Sequence, residues 1–530
     1  MKLTTRRNTL LELTFHGAQT RQDPYHELEL DLVLTTPDGS EMRIPCFWAG
    51  DSVWKARFAG SEAGHYAGVT VCSDPQDSGL HGQTVEIEVQ PYAGSNPLYT
   101  HGRLRVAEDR RHFEHADGTP FFWLGDTWWM GLSERCDWPR GFRLLTTDRV
   151  GKGFSVVQMV VGPYPDMDSW DPRGRNEAGF PFTDGYERVN PSYYDHADLK
   201  ILHLVHNGLV PCLVGMWGYY LPKLGLERVK RFWRMIVARY GALPVTWCIA
   251  GEGAMPFYLT QDREGETRMQ REGWAEVMRY VRSLDPYRNL ITIHPTNYGR
   301  DQVTDDSLMD FEMLQTGHGD FDSIPPTIQM VRTACAREPR MPVINSEVNY
   351  EGILGRSYAN VQRLCFYHSV LNGTAGHTYG ANGIWQMNGE EKPYGPSPHG
   401  RSWGSTSWEQ AADLPGSAQM GFGRRILSSL PWWELDPHPE WLGLEALDTQ
   451  SSSLIATGIP GRLRVVYVPF CWDPPAIHGL DDGHAYMAAY ADPCTGRELE
   501  IGAVTPDDAG RWTAPPPPEV HDWLIILRAR

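Results

Sequence analysis

The sequence is short of positive charge: 48 Lys and Arg stand against 66 Asp and Glu, a formal net charge of −18. A protein that grips a phosphate backbone needs a basic surface, so nucleic acid is excluded as a partner. Long apolar runs are missing too. No stretch reaches the ~18 residues of a membrane-spanning helix, which excludes the membrane. The first residues, MKLTTRRNTLLELTFHG, lack the apolar core and small-residue cleavage site of a signal peptide. Cysteine is sparse, nine in 530 residues and with no C-x-x-C pair. Scattered thiols in odd number point to a reduced, cytoplasmic protein rather than a disulfide framework or zinc site. H-E-x-x-H is absent, the apolar run Phe121–Gly125 carries no His pair, and Asp166, Asp168 and Asp171 do not complete a calcium loop. That cluster reads as a solvated loop, and neither a metal nor any other cofactor is expected. No nucleophile elbow for Ser-His-Asp chemistry is read at a strand end.

What is present is aromatic. The chain holds 20 Trp and 23 Tyr, whose flat, amphipathic rings serve equally as core and as platforms for sugar rings. A length of 530 residues exceeds what one core supports. Residues 1–105 read as short strands with alternating patterns, such as Leu28–Leu34 and Thr84–Val89, and predict a β-sandwich. Residues 431–530 return to short strands and predict a second one, and an acidic chain of this kind leaves a homo-oligomer open.

Between them, residues 106–430 alternate strand, loop and helix. Val229, Phe232, Trp233, Ile236, Val237 and Tyr240 fall on one helical face, with Gly241 as a stop. Eight apolar runs are candidate buried strands: Phe121–Gly125, Ser155–Val161, Leu209–Val214, Val245–Ala250, Leu290–His294, Met309–Gln315, Val343–Ser346 and Thr374–Tyr379. Eight such runs predict an α/β (β/α)8 TIM barrel. A doubly wound sheet would want a glycine-rich turn after the first strand, and Gly125-Asp126-Thr127-Trp128-Trp129 is not one.

Chemistry in such a barrel sits at the C-terminal strand ends. The fourth run ends at Glu252 and the seventh at Glu347, 95 positions apart, which suits three intervening βα units. Two carboxyls facing each other across a barrel mouth are what glycosidic bond cleavage needs, one protonated and one ionised. Most Glu residues are solvated, and either motif alone is weak; Gly-Glu-Gly and Asn-Ser-Glu after two buried strands strengthen each other. Asp126, Trp128 and Trp129, then Trp217 with Tyr219 and Tyr220, Tyr379 and Trp385, are candidates for holding a carbohydrate, weighed against an equally good role in plugging the barrel top. His294, His318 and His377 are candidate donors, although a lone His is more often structural. Gln158 and Gln315 are read as barrel lining.

The segment from His112-Phe113 through Asp117-Gly118-Thr119-Pro120-Phe121-Phe122-Trp123-Leu124-Gly125-Asp126-Thr127-Trp128-Trp129 resembles the barrel entry of apiosidase-like glycoside hydrolases, the DUF4038 group. Trp54–Phe58 with Gly64-His65-Tyr66 is similar to the DUF5060 β-sandwich that precedes such barrels. The tail from Leu430-Pro431-Trp432-Trp433 resembles the small β-domain, labelled collagen-binding, that follows them. The resemblance implies a retaining two-Glu mechanism, with Glu252 as acid/base and Glu347 as nucleophile, and extends to furanosidase activity. Two departures stand out. Gly251 replaces the Asn that usually precedes the acid and binds the sugar 2-hydroxyl, and Glu252 stands where family members carry Asp. A binding protein with a catalytically silent barrel and a transglycosylase are the other readings the sequence admits.

Overall fold

The computed structural model describes residues 1–530 apart from 445–448, 451, 471–473 and 482, so Cys471 lies outside the described residues. The eight described cysteines are free thiols, and among the described residues no helix is long and apolar enough to cross a membrane.

The centre of the molecule is a (β/α)8 barrel. Its parallel strands are β1 (Trp123–Thr127), β2 (Val156–Val160), β3 (Val210–Val214), β4 (Thr246–Cys248), β5 (Ile291–Thr292), β6 (Glu312–Gln315), β7 (Val343–Glu347) and β8 (Gly376–Tyr379). They are hydrogen-bonded in the order β5-β4-β3-β2-β1-β8-β7-β6. The remaining gap, between β5 and β6, is bridged by Asp310 N donating to Ile291 O at 2.8 Å and Thr292 Oγ1 to Phe311 O at 2.8 Å. Strand β5 is short because Pro295, lacking an N–H, follows closely.

Among the described residues seven long helices pack outside: α1 (Arg140–Gly151), α2 (Pro191–His206), α3 (Leu226–Tyr240), α4 (Arg263–Leu284), α5 (Ile324–Ala336), α6 (Ala359–Val370) and α7 (Pro415–Ser428). Only short 3-10 turns follow β5. The expected apolar face of α3 is fully buried, from Val229 to Tyr240.

Strand β1 begins two residues later than the sequence suggests. Pro120 and Phe121 pair antiparallel with Phe113–Glu114 in a small sheet outside the barrel, and the barrel strand then runs to Thr127. This places Asp126 inside the barrel wall instead of at its rim.

The N-terminal segment folds as a five-stranded and a three-stranded sheet, face to face. Leu30, Leu32 and Leu34 alternate inward from one and meet Leu13, Phe15, Ala56 and Phe58 from the other. The segment docks on the barrel through Asp198 of α2, which sits buried between the guanidinium groups of Arg57 and Arg239. Burial alone would raise this carboxyl, yet the two arginines hold it below the usual carboxylate range.

The C-terminal segment is a six-stranded antiparallel sheet with a two-stranded ribbon. Strands Leu463–Val468 and Trp523–Ala529 are apolar on both faces for a reason. Val465, Tyr467, Leu524 and Ile526 pack on the barrel core, whereas Val466, Val468, Ile525 and Leu527 pack under the ribbon.

Candidate active site

A cavity of about 310 Å³ opens among the loops that follow the barrel strands, and both Glu252 and Glu347 line it. Glu347 is the last residue of β7. Across the β6–β7 pair the register skips Ser346, since Leu314 faces Asn345 and Gln315 faces Glu347. This bulge turns Gln315 and Glu347 toward the same space.

Glu252 follows β4 with a left-handed backbone, φ 42°. The strain falls on the Glu itself, and its flanking glycines serve another purpose. A Cβ on Gly251 would lie 2.2 Å from the Trp217 ring, and one on Gly253 2.4 Å from Ile293. The two glycines therefore let β3 and β5 close in on the turn, and Trp217 fills the space an Asn at position 251 would need.

The two carboxyls share one donor. Gln315 Nε2 lies 3.3 Å from Glu252 Oε1 and 3.1 Å from Glu347 Oε1. Because both distances meet at a single nitrogen, these oxygens are at most about 6.4 Å apart. Around them the surroundings differ. Glu252 accepts one further hydrogen bond, from Trp217 Nε1 at 3.0 Å. Glu347 has His318 Nε2 at 2.9 Å from Oε1 and His294 Nε2 at 3.3 Å from Oε2.

Electrostatics follow from this asymmetry. Burial, and then the charge of Glu347, push the Glu252 carboxyl up to about 8. Burial pushes Glu347 up as well, but hydrogen bonds and charge from His294 and His318 outweigh it and bring Glu347 down to about 2. Near neutrality one carboxyl keeps its proton and the other is ionised.

One wall of the cavity is an aromatic column. His318 stacks on Tyr350 at 4.8 Å and 15°, and Tyr350 on Trp385 at 5.8 Å and 22°. Trp129 Nε1 donates to Tyr350 Oη at 3.0 Å and locks the column in place. The lining also includes Asp166, whose Oδ1 accepts from Tyr258 Oη at 2.8 Å, together with Arg401 and Trp403.

Of the residues singled out in the sequence, Glu252, Glu347, Trp129, Trp217, Gln315, His318 and Trp385 line this cavity, and His294 Nε2 lies 3.3 Å from Glu347. The others lie elsewhere. Asp126 is buried and accepts from Trp128 Nε1 at 2.7 Å and Arg149 Nε at 2.6 Å. Trp128 packs edge-on against Phe142 of α1, and Tyr379 donates to Glu351 at 2.5 Å. All three tie the barrel wall to its outer layer. Tyr219 and Tyr220 are buried beside each other, His377 lies in the core against Phe366, and Gln158 bonds Thr127 and Ser346 inside the barrel.

Tyr350 and Tyr258 went unread in the sequence because they stand on irregular loops. Asp166 lines the cavity, although its acidic stretch has the pattern of a solvated loop. Gln315 reaches both carboxyls where only barrel lining was expected. The loop also contains Gly400-Arg401-Ser402-Trp403-Gly404, a G-x-S-x-G match, but it lies in irregular chain between β8 and the helix Trp408–Ala412. Without a strand feeding it, it is no nucleophile elbow.

Residues 107–434 match the family described as apiosidase-like, catalytic domain. The chain belongs to that family. Residues 4–72 match DUF5060, a domain of unknown function. Among solved structures, a glycoside hydrolase matches with a TM-score of 0.67 and 23% identity, over 82% of this chain and 98% of its own. A family 5 glycoside hydrolase from Bacteroides vulgatus ATCC 8482 gives 0.68 and 23%, over 82% and 95%. A candidate glycoside hydrolase of the same strain gives 0.73 and 18%, over 99% and 100%. These neighbours share the fold. No curated protein matches the chain. As an apiosidase-like protein, the chain is a glycoside hydrolase and its substrate a carbohydrate.

Proposed function

We propose that this apiosidase-like protein is a retaining glycosidase that acts on small glycosides, with Glu347 as nucleophile and Glu252 as acid/base. The observation that carries the reading is the pair itself. Two carboxyls bonded to one amide nitrogen have opposite surroundings, one holding its proton and the other its charge. The bound of about 6.4 Å on these oxygens accommodates the ~5–5.5 Å of direct attack and reaches only the lower edge of the ~6.5–9.5 Å that an intervening water needs.

In the first step a Glu347 oxygen bonds to the anomeric carbon as the glycosidic C–O bond breaks, and Glu252 gives its proton to the departing oxygen. Esterified Glu347 no longer carries a charge, so Glu252 ionises more easily. It then takes a proton from water, whose oxygen attacks the same carbon and frees Glu347.

A volume near 310 Å³ is small for a ligand pocket and suits one sugar ring with part of its leaving group. With Gly251 and Trp217 in place of the usual Asn, recognition of a 2-hydroxyl passes to other groups, and the furanosidase reading rests on the apiosidase-like family match. We read the enzyme as cytoplasmic, and as three units divided near residues 105 and 430. A panel of aryl furanosides and pyranosides tests the sugar class: turnover confined to furanosides fits, and a pyranoside as best substrate contradicts the furanosidase reading.

A further inference from the structure

A second cluster of reactive side chains lies far along the chain from the cavity residues, in the C-terminal sheet. The turn after the strand Tyr486–Ala491 carries Asp492 and Cys494, and the segment entering the last strand, Trp523–Ala529, carries His521. A carboxylate oxygen, the thiol sulfur and an imidazole nitrogen there all lie within 4.8 Å of one another.

The orientation of the His521 ring is set by its neighbours. Nδ1 is 2.7 Å from the carbonyl oxygen of Asp522, so it carries the hydrogen and donates it. Nε2 is shut off from solvent and has no hydrogen-bond partner. It faces Asp492 Oδ1 at 3.8 Å and Glu519 Oε2 at 3.7 Å, too far for hydrogen bonds. Carboxylate oxygens that face an unbonded ring nitrogen call for positive charge between them, which a proton on Nε2 or a metal ion supplies.

The spacing suits such a cation. In a tetrahedral zinc site with bonds of about 2.0–2.1 Å, neighbouring N and O ligands are about 3.4 Å apart, a few tenths of an ångström inside the distances here. An imidazole whose far nitrogen donates to a backbone carbonyl is also the usual setting of a metal-bound His. The Asp492 oxygens accept from Cys494 N at 2.7 Å and Thr495 Oγ1 at 2.6 Å, which orients the carboxylate and leaves each oxygen a lone pair.

We propose that Asp492, Cys494 and His521, with Glu519 as fourth ligand, bind a structural divalent cation of the zinc type. Four protein ligands leave no open position, so the ion stabilises the fold and does no catalysis. Cys494 binds as thiolate and its proton goes to solvent. The ion would pin the segment 519–523, whose Asp522 takes Arg363 of α6 at 2.6 Å and Tyr467 Oη at 3.0 Å. It thus reinforces the seat of the C-terminal sheet on the barrel.

The full chain, stripped with a chelator, is titrated with Zn²⁺ by calorimetry and with Co²⁺ by absorbance. One equivalent should bind, Co²⁺ should show thiolate-to-metal charge transfer, and Zn²⁺ should raise the thermal midpoint. C494S should lose the charge-transfer band, and both C494S and H521A should bind about a hundredfold or more weakly, whereas H65A, on the N-terminal sheet, should bind as wild type. The apo midpoints of all variants show whether each is folded, and D492N serves if C494S is not. A folded wild type without stoichiometric Zn²⁺ binding, or equal binding by C494S, overturns the proposal.

Discussion

Replacing Glu347 with Gln should lower the pKa of Glu252 by about 2 units. The two nearest oxygens are held within about 6.4 Å by their common Gln315 donor. At an effective dielectric of about 20, unit charges ~6 Å apart repel by about 2.8 kcal/mol, which is about 2 pKa units. Removing the Glu347 anion makes it easier for Glu252 to become one, so the shift is downward, from about 8 toward about 6. It should not reach the ordinary Glu range, because burial acts first on this group and the substitution leaves it buried. The assay is a ¹³C NMR titration of protein labelled at the Glu side-chain carboxyls, with E252Q identifying the resonance. A Glu252 pKa that stays within about half a unit of wild type would refute the reasoning, since two carboxyls at this distance in a desolvated site cannot ignore each other. The same downward shift is what the second catalytic step requires.

Three further outcomes are expected. E347G should lose turnover, and added azide should restore some of it with glycosyl azide as product; full activity in E347G removes the nucleophile assignment. E252Q should slow substrates with poor leaving groups by about 10²–10⁴ and activated aryl glycosides far less, so equal losses on both, read from kcat/KM, argue against the acid role. Gly251→Ala drives a Cβ into the Trp217 ring at 2.2 Å, and should cost about 1–3 kcal/mol of stability as overpacking does; calorimetric unfolding that shows no loss would mean Trp217 yields freely.

Much of the barrel was legible because its strands are uninterrupted apolar runs punctuated by glycine and proline, and α3 because its apolar positions keep helical spacing. The reading slipped where apolar sequence runs past a strand boundary. Phe121 through Thr127 gives no sign that Pro120 and Phe121 belong to a different sheet, and the offset of two residues places Asp126 and Trp128 at the rim beside Trp129, the one of the three that lines the cavity. The glutamates were readable from their strand ends alone. Their tuning was not, because Gln315, His318 and Tyr350 meet them through loops and a bulge that leave no periodic trace. In the C-terminal sheet, the doubly apolar strands betrayed burial on both faces but not what covers each.

The stereochemistry of the first product tests the central claim most directly. Proton NMR of a fresh digest, recorded before the released sugar mutarotates, distinguishes the anomers. Direct attack by Glu347 predicts that the first-formed sugar has the configuration of the substrate. An inverted anomer would mean that water attacks the anomeric carbon and that Glu347 is a base.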